Sequence, residues 1–319
     1  MKLLVTALTL LVPAYLYTRF MWSIDRYEKE PPLYLFLALV WGAIPAVIAA
    51  IFLQLIFSIP VTLLFGRGFA GELTQAALGA PVTEEFLKGM GVAILYLTVR
   101  REFDGWVDGM VYGASVGFGF AYIENIFYLM GTQSWDEWMA LFVFRAIVFG
   151  GLHGFWTALT GIGFGLARYS HSMFIRLFVV CGGLLLAILG HVIHNAAATL
   201  VEVTDGSSFS FALLNYGVLT AVIILLSFIA AAVDRDRLRQ YLRDEVPWVI
   251  PEPVYWAICD RRHRTKLAAL GLSGARQKAL LQLVSELAQK KLQLAKMGNE
   301  NGNYAEIQRL RIALREFVG

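Results

Sequence analysis

"APVTEEFLKGMGVAILYLTV", residues 80–99, has the length and apolar content of a membrane-crossing helix, yet Glu84, Glu85 and Lys88 interrupt it. A crossing needs about 20 residues at 1.5 Å rise each. Whether this stretch lies in lipid or in water decides the fold, and its surroundings give the answer. The chain has 319 residues, of which 58% are hydrophobic and 16% charged, with a mean hydropathy of +0.61. Ordinary soluble chains run about 45–50% apolar and about 25% charged. Length alone suggests two soluble domains; composition overrides that and points to an all-α, polytopic membrane bundle with a polar tail.

Working outward from residues 80–99, seven stretches are long and apolar enough to cross: 3–20, 33–57, 75–99, 106–130, 138–166, 174–201 and 211–233. "SIPVTLLFG", 58–66, reads as an extra re-entrant or interfacial piece. The first stretch is expected to be a retained helix rather than a leader, because its apolar run continues past Pro13 without a small-residue cleavage site. Lys and Arg alternate between loops. Arg19, Arg26 and Lys29 follow the first stretch, only Arg67 the second, and Arg100 and Arg101 the third. Asp136 and Glu137 stand without a base after the fourth. Arg168 and Arg176 flank the next loop, and Glu202 and Asp205 the last. That alternation predicts an N-terminus outside the cell membrane and a cytoplasmic tail.

The expected organisation is therefore a membrane bundle over 1–233 and a cytoplasmic linker with a helical hairpin over 234–319. In the tail, "PWVIPEPVYW" carries three prolines and cannot be one helix. "GARQKALLQLVSELAQKKLQLAKMG" and "YAEIQRLRIALREFV" have helical apolar spacing, separated by "NENGN". Cys181 lies in an apolar run and Cys259 in the tail, so no disulfide joins them.

Ionisable groups at bilayer depth are expensive and mark function by default. Glu84 and Lys88 are four apart in the favourable order, and Glu85 is three from Lys88. Two adjacent carboxylates in low dielectric resist ionising together, so Lys88 is expected to hold one as an anion and leave the other a proton to transfer. The bland reading is a pair that ties helices together. In "GMVYGASVGFGFAYIEN", Gly109, Gly113 and Gly117 form a close-packing face that leads on to Glu124, with Asn125 beside it. His153 sits among small residues, where a histidine is often a plain interhelical partner. "GHVIHNAA" supplies His191, His194 and Asn195; two histidines three apart can ligate a metal but need a third ligand. On the predicted topology Glu84, Glu85, Glu124, His191 and His194 lie roughly 9–13 Å below the outer surface and His153 about 20 Å. Polar groups from four helices thus converge in the outer half or middle of the bilayer.

These motifs resemble the PrsW family of intramembrane proteases, related to the CAAX-prenyl endopeptidase and bacteriocin-processing (CPBP) group. "EEFLK" fits its E-E-x-x-K element, "FAYIEN" an F-x-x-x-E-N element, "LHGFWTALTG" the histidine-bearing helix and "HVIHN" an H-x-x-x-[ND] element. "DRYEKEPP", residues 25–32, looks like its loop before the second helix. The similarity covers about residues 1–230. His194 stands where an aromatic is common, a departure that is neutral or adds a ligand.

The resemblance implies hydrolysis of a peptide bond in a single-span membrane protein, such as an anti-sigma factor, near its extracytoplasmic side. Glu84 is expected as general base on water, with His191 and Asn195 on the carbonyl oxygen. Glu124 and His153 would orient these groups or serve the leaving amine, and Lys88, Asn125 and His194 would support them. In a metallo-version, zinc would be held by Glu85, His153 and His191; a glutamate-only mechanism uses the same residues. The bilayer is the expected surrounding, and no nucleic acid is implied. The competing class is a proton- or cation-coupled transporter, against which the absence of an inverted hydropathy repeat argues. A non-catalytic protein that holds membrane partners is the third reading.

Overall fold

The computed structural model describes residues 1–25, 29–100, 102–299 and 302–318. Arg26 and Arg101, used above for orientation, lie outside the described residues, as do parts of the 25–32 loop and of "NENGN". Among the described residues all regular structure is helical. The chain divides into two compact units, Met1–Ser23 with Glu30–Leu225, and Ile24–Lys29 with Leu226–Gly319.

The first unit runs α1 (Lys2–Ile24), α2 (Pro32–Phe65), α3 (Ala80–Thr98), α4 (Trp106–Gly131), α5 (Trp135–Phe142), α6 (Leu152–Ala167), α7 (Met173–Thr199) and the start of α8 (Phe209–Tyr241). Five runs are long and apolar enough to span: α1, α2, Trp135–Ala167, α7 and α8. They correspond to five of the seven stretches expected, and the protein is a multi-pass membrane protein. Their outer faces carry large apolar side chains such as Leu63, Phe174 and Phe178, all exposed, as lipid-facing surfaces require.

The two remaining stretches, α3 and α4, fall outside that group for a physical reason. α3 carries three charges, and α4 is enclosed by protein, with every residue from Gly109 to Ala121 buried. A helix wrapped by other helices needs small residues more than apolar ones. A Cβ on Gly109, Gly113 or Gly117 would lie 2.1, 2.5 or 2.2 Å from the backbone oxygen of Gly161, Thr157 or His153. The glycine face therefore lies directly on the backbone of α6.

Three expectations are corrected. Residues 58–66 form no separate re-entrant piece: α2 continues through Pro60 to Phe65 and ends at Gly66, whose φ of 73° stops it. The predicted 138–166 helix is broken, because α5 passes into a π turn, Val143–Val148, and the chain leaves helical geometry at 149–151 before α6 begins. Phe149, Gly150 and Gly151 stand at that interruption. The last span does not stop at 233; α8 continues through "DRDRLRQY" to Tyr241, since Arg and Leu sustain a helix in water as well as in lipid. π turns also occur at Gly42–Ala46, within α2, and at Gln75–Gly79, ahead of α3.

The second unit packs the end of α8 with α9 (Glu252–Ile258), α10 (His263–Ala269), α11 (Gly274–Met297) and α12 (Asn303–Val318). Leu238, Ile250, Tyr255, Leu280, Val284, Leu287, Leu310 and Leu314 form its core. α11 and α12 are the helices expected from apolar spacing in the tail. Cys181 and Cys259 are both free.

Candidate active site

Helical spacing first sets what α3 can offer. Lys88 Nζ lies 2.6 Å from Glu85 Oε1 and 3.7 Å from Glu84 Oε2. The i,i+4 order favoured Glu84 as the partner, but Glu84 Oε1 accepts from Gln54 Nε2 of α2 at 3.0 Å, and Glu85 takes Lys88. Glu85 is completely buried and fully engaged. Its Oε1 also meets His191 Nδ1 of α7 at 3.0 Å, and its Oε2 accepts from the Thr157 hydroxyl of α6 at 3.1 Å. Glu84 is not fully engaged: its buried Oε2 has no hydrogen-bond partner.

The hydrogen bonds then fix the histidines. A neutral His191 that donates Nδ1–H to Glu85 presents an unprotonated Nε2, and that atom lies 4.0 Å from Glu84 Oε2. Its ring stacks on Trp156 at 4.0 Å between centroids. His153 Nδ1 receives the Lys88 ammonium at 3.1 Å, which leaves Nε2–H to donate to Glu124 Oε2 at 2.9 Å. Lys88 Nζ also sits 4.4 Å from the centroid of the Phe120 ring, a favourable place for a cation. Arg145 completes the row. Its Nη2 donates to Glu124 Oε2 at 2.7 Å and its Nε to Asn125 Oδ1 at 2.9 Å.

The structure thus brings together Glu84, Glu85, Lys88, Glu124, Asn125, His153 and His191. It does not bring Asn195 or His194 into the row. Asn195 donates its side-chain amide to the Ala76 carbonyl at 2.9 Å, a group in the 75–79 π turn. His194 packs edge-on to Phe149 at 4.9 Å, with Nδ1 unpartnered. Both line a cavity of about 290 Å³, together with Glu124, Asn125, Arg145 and His153. Phe149 and Gly150, at the break between α5 and α6, border it too; non-helical backbone is tolerated at membrane depth where it lines such a space. Glu84 and Glu85 are not part of this lining, so His153 stands between the cavity and α3.

Sequence reasoning missed Gln54, Thr157, Trp156 and Arg145. Gln54 and Arg145 carried a signal, each being a polar residue inside an apolar stretch. Thr157 and Trp156 carried none, because both residue types are ordinary in a helix core.

Glu84, His153 and His191 each offer a donor atom, all within 4.8 Å of one another. This set differs from the expected Glu85, His153 and His191. Glu85 is already occupied by Lys88, His191 and Thr157, whereas Glu84 has an oxygen to spare. The orphaned Oε2 and the unprotonated His191 Nε2 are the chemistry a divalent ion takes, whereas His153 would complete the set only by releasing Lys88 or Glu124 from its ring.

Comparison with known proteins adds a decisive observation: the profile of the PrsW family intramembrane metalloproteases matches residues 30–230. The chain belongs to the PrsW family. It is 30% identical over 147 residues to Protease PrsW of Geobacillus kaustophilus (strain HTA426), covering 46% of this chain and 59% of that protein. It is 33% identical over 100 residues to Protease PrsW of Bacillus subtilis (strain 168), covering 31% of this chain and 43% of the relative. The chain thus spans about half the length of the curated relatives it matches. No solved structure matches it. Every member of the row falls within the PrsW match, and α9 to α12 lie beyond it.

Proposed function

We propose that this PrsW family chain is an intramembrane endopeptidase that hydrolyses a peptide bond of a single-span membrane protein, such as an anti-sigma factor, near the extracytoplasmic side. The observation that carries the reading is the buried, unpartnered Oε2 of Glu84 beside His191 Nε2. A buried carboxylate oxygen with no hydrogen bond, although the Lys88 ammonium stands 3.7 Å away, is costly unless a donor reaches it, and a reacting water is the natural one.

Glu84 takes a proton from that water as it attacks the carbonyl carbon, while Gln54 holds the other carboxylate oxygen so that Oε2 faces the reaction. Glu85 acts as an orienting group: it fixes the His191 tautomer through Nδ1 and balances Lys88. In this tautomer a neutral His191 accepts rather than donates at Nε2, so the carbonyl oxygen takes its donors elsewhere. That role falls to the amides lining the cavity: Asn125 Nδ2, whose Oδ1 is held by Arg145, and the Asn195 N–H not given to the Ala76 carbonyl. His153, between the cavity and α3, carries a proton toward the leaving amine. In a metallo-version, a metal such as zinc would be held by Glu84, His191 and a His153 freed from Lys88 or Glu124; it would polarise the carbonyl and acidify water, with Glu84 then a ligand rather than the base.

The membrane topology that accompanies this reading has seven crossings, with α3 and α4 added to the five apolar spans, an extracytoplasmic N-terminus and a cytoplasmic tail. The test is cleavage of single-span reporter proteins, tagged at both ends, by the purified full chain in liposomes. Wild type cuts and Glu84→Gln falls by about 10²–10⁴-fold. A wild type that cuts nothing but carries a Glu84-dependent proton flux sinks the peptidase in favour of a transporter. Metal content and chelator sensitivity of the same preparation separate zinc from glutamate-only chemistry.

A further inference from the structure

Arg145 is an ionisable residue inside a span, and none of the four family motifs contains it. It stands in the 143–148 π turn, eight residues ahead of His153, with the 149–151 break between them. Arg145 and His153 approach the same atom from these two segments: Glu124 Oε2 receives Arg145 Nη2 at 2.7 Å and His153 Nε2 at 2.9 Å. The same guanidinium holds Asn125 through Nε and lies 3.6 Å from the centroid of the Tyr128 ring. Three anchors on α4, Glu124, Asn125 and Tyr128, thus converge on one planar fork, a geometry lysine cannot reproduce.

We propose that Arg145 is a positioning residue. It pins the Glu124 carboxylate against His153 Nε2 and thereby holds the His153 ring between the cavity and Lys88. The proposal rests on the peptidase reading for its catalytic consequence but not for its geometry. Without the guanidinium, the only cation paired with Glu124 among the described residues is gone, and a carboxylate left in a span with one neutral donor moves toward water in the cavity. The His153 ring then loses its fixed partner.

Two measurements on the full chain in detergent test this. The first is modification of histidines by diethyl pyrocarbonate, read residue by residue by mass spectrometry. Arg145→Met speeds labelling of His153 severalfold, Arg145→Lys less so, and Glu124→Gln combined with Arg145→Met adds nothing to the faster single variant. His194, in the same cavity, is the internal reference and keeps its rate. Equal His153 rates in wild type and Arg145→Met overturn the proposal. So does a general rise that includes buried His191, because that reports loosened packing rather than positioning. The second is kinetics on a cleaved single-span reporter. Arg145→Met lowers kcat by about 10- to 100-fold, with KM nearly unchanged. A loss carried by KM overturns the proposal, since it makes Arg145 a substrate contact. If wild type cuts no reporter, the peptidase reading fails while the labelling still decides the role of Arg145.

Discussion

Each unit of the molecule buries a carboxylate among cations, and the two clusters are built differently. In the tail, Glu245 is 2% exposed, and both of its oxygens are taken: Oε1 by Lys291 at 2.7 Å and Arg311 Nη2 at 2.7 Å, Oε2 by Arg311 Nε at 3.0 Å. Lys291 also pairs with Asp244, and both cations keep part of their side chains in water. In the membrane unit, Glu85 is equally well satisfied, but its neighbour Glu84 is left with one bare oxygen. A carboxylate whose partners reach solvent is a brace; a buried oxygen with no hydrogen bond beside an imidazole is a place for chemistry. Between these two carboxylate clusters, the difference lies in hydrogen-bond satisfaction and not in the number of charges.

The sharpest way to break this comparison is to remove the satisfied member of the membrane cluster. Glu85→Gln takes the counter-charge from Lys88 and the acceptor from His191. Breaking a buried pair costs about 3–5 kcal/mol, so a fall in thermal midpoint is expected together with loss of cleavage. A protein that keeps its midpoint would show that Lys88 is balanced elsewhere. Glu245→Gln in the tail should destabilise by about 1–3 kcal/mol, read by denaturation of the full chain. Wild-type cleavage kinetics should persist at low temperature, where the tail stays folded. A collapse of kcat there would mean that the tail cluster is no mere brace.

Gln54→Leu is a finer probe. It removes the hydrogen bond that aims Glu84 and leaves an apolar residue in an apolar span. Cleavage is expected to fall about tenfold, or roughly 1.4 kcal/mol, with a modest fall in thermal midpoint because the buried Glu84 loses its hydrogen-bond donor. Unchanged kinetics would remove Gln54 from the site. The smallest expected effect concerns Cys259. Burial pushes its thiol up to about 11, against the opposing pull of Arg239. The reactive thiolate therefore forms only as pH approaches that value. Alkylation of Cys259 in the folded chain should climb steadily from pH 8 to pH 10 and stay below that of a free thiol throughout. A plateau near pH 8.5 would mean that the tail core around it is open.

Much of this was legible in the residues. The spacing within "EEFLK" put Glu84, Glu85 and Lys88 within reach of one another, and the Gly109–Gly113–Gly117 face pointed α4 at a close neighbour and carried Glu124 with it. Five of the predicted stretches appear as apolar spans because hydropathy is a local property of the chain. Arg145 was visible as a charge inside an apolar stretch. Thr157 and Trp156 were not visible, because nothing about a threonine or tryptophan in a helix says which carboxylate or imidazole it will touch.

The sequence by itself determined that the chain is helical and membrane-embedded, that its ionisable groups gather on four helices, and which residue types they are. Those features follow from composition, period and spacing, which are set residue by residue. Only the tertiary structure decided that Lys88 gives its hydrogen bond to Glu85 and stands farther from Glu84, that Asn195 ties down the 75–79 π turn instead of joining the row, and that the fifth stretch breaks so that Arg145 and His153 meet on one oxygen. Each of these is a choice among partners on different helices, and hydrogen bonds across helices are settled by how the backbones pack, a distance no local pattern encodes.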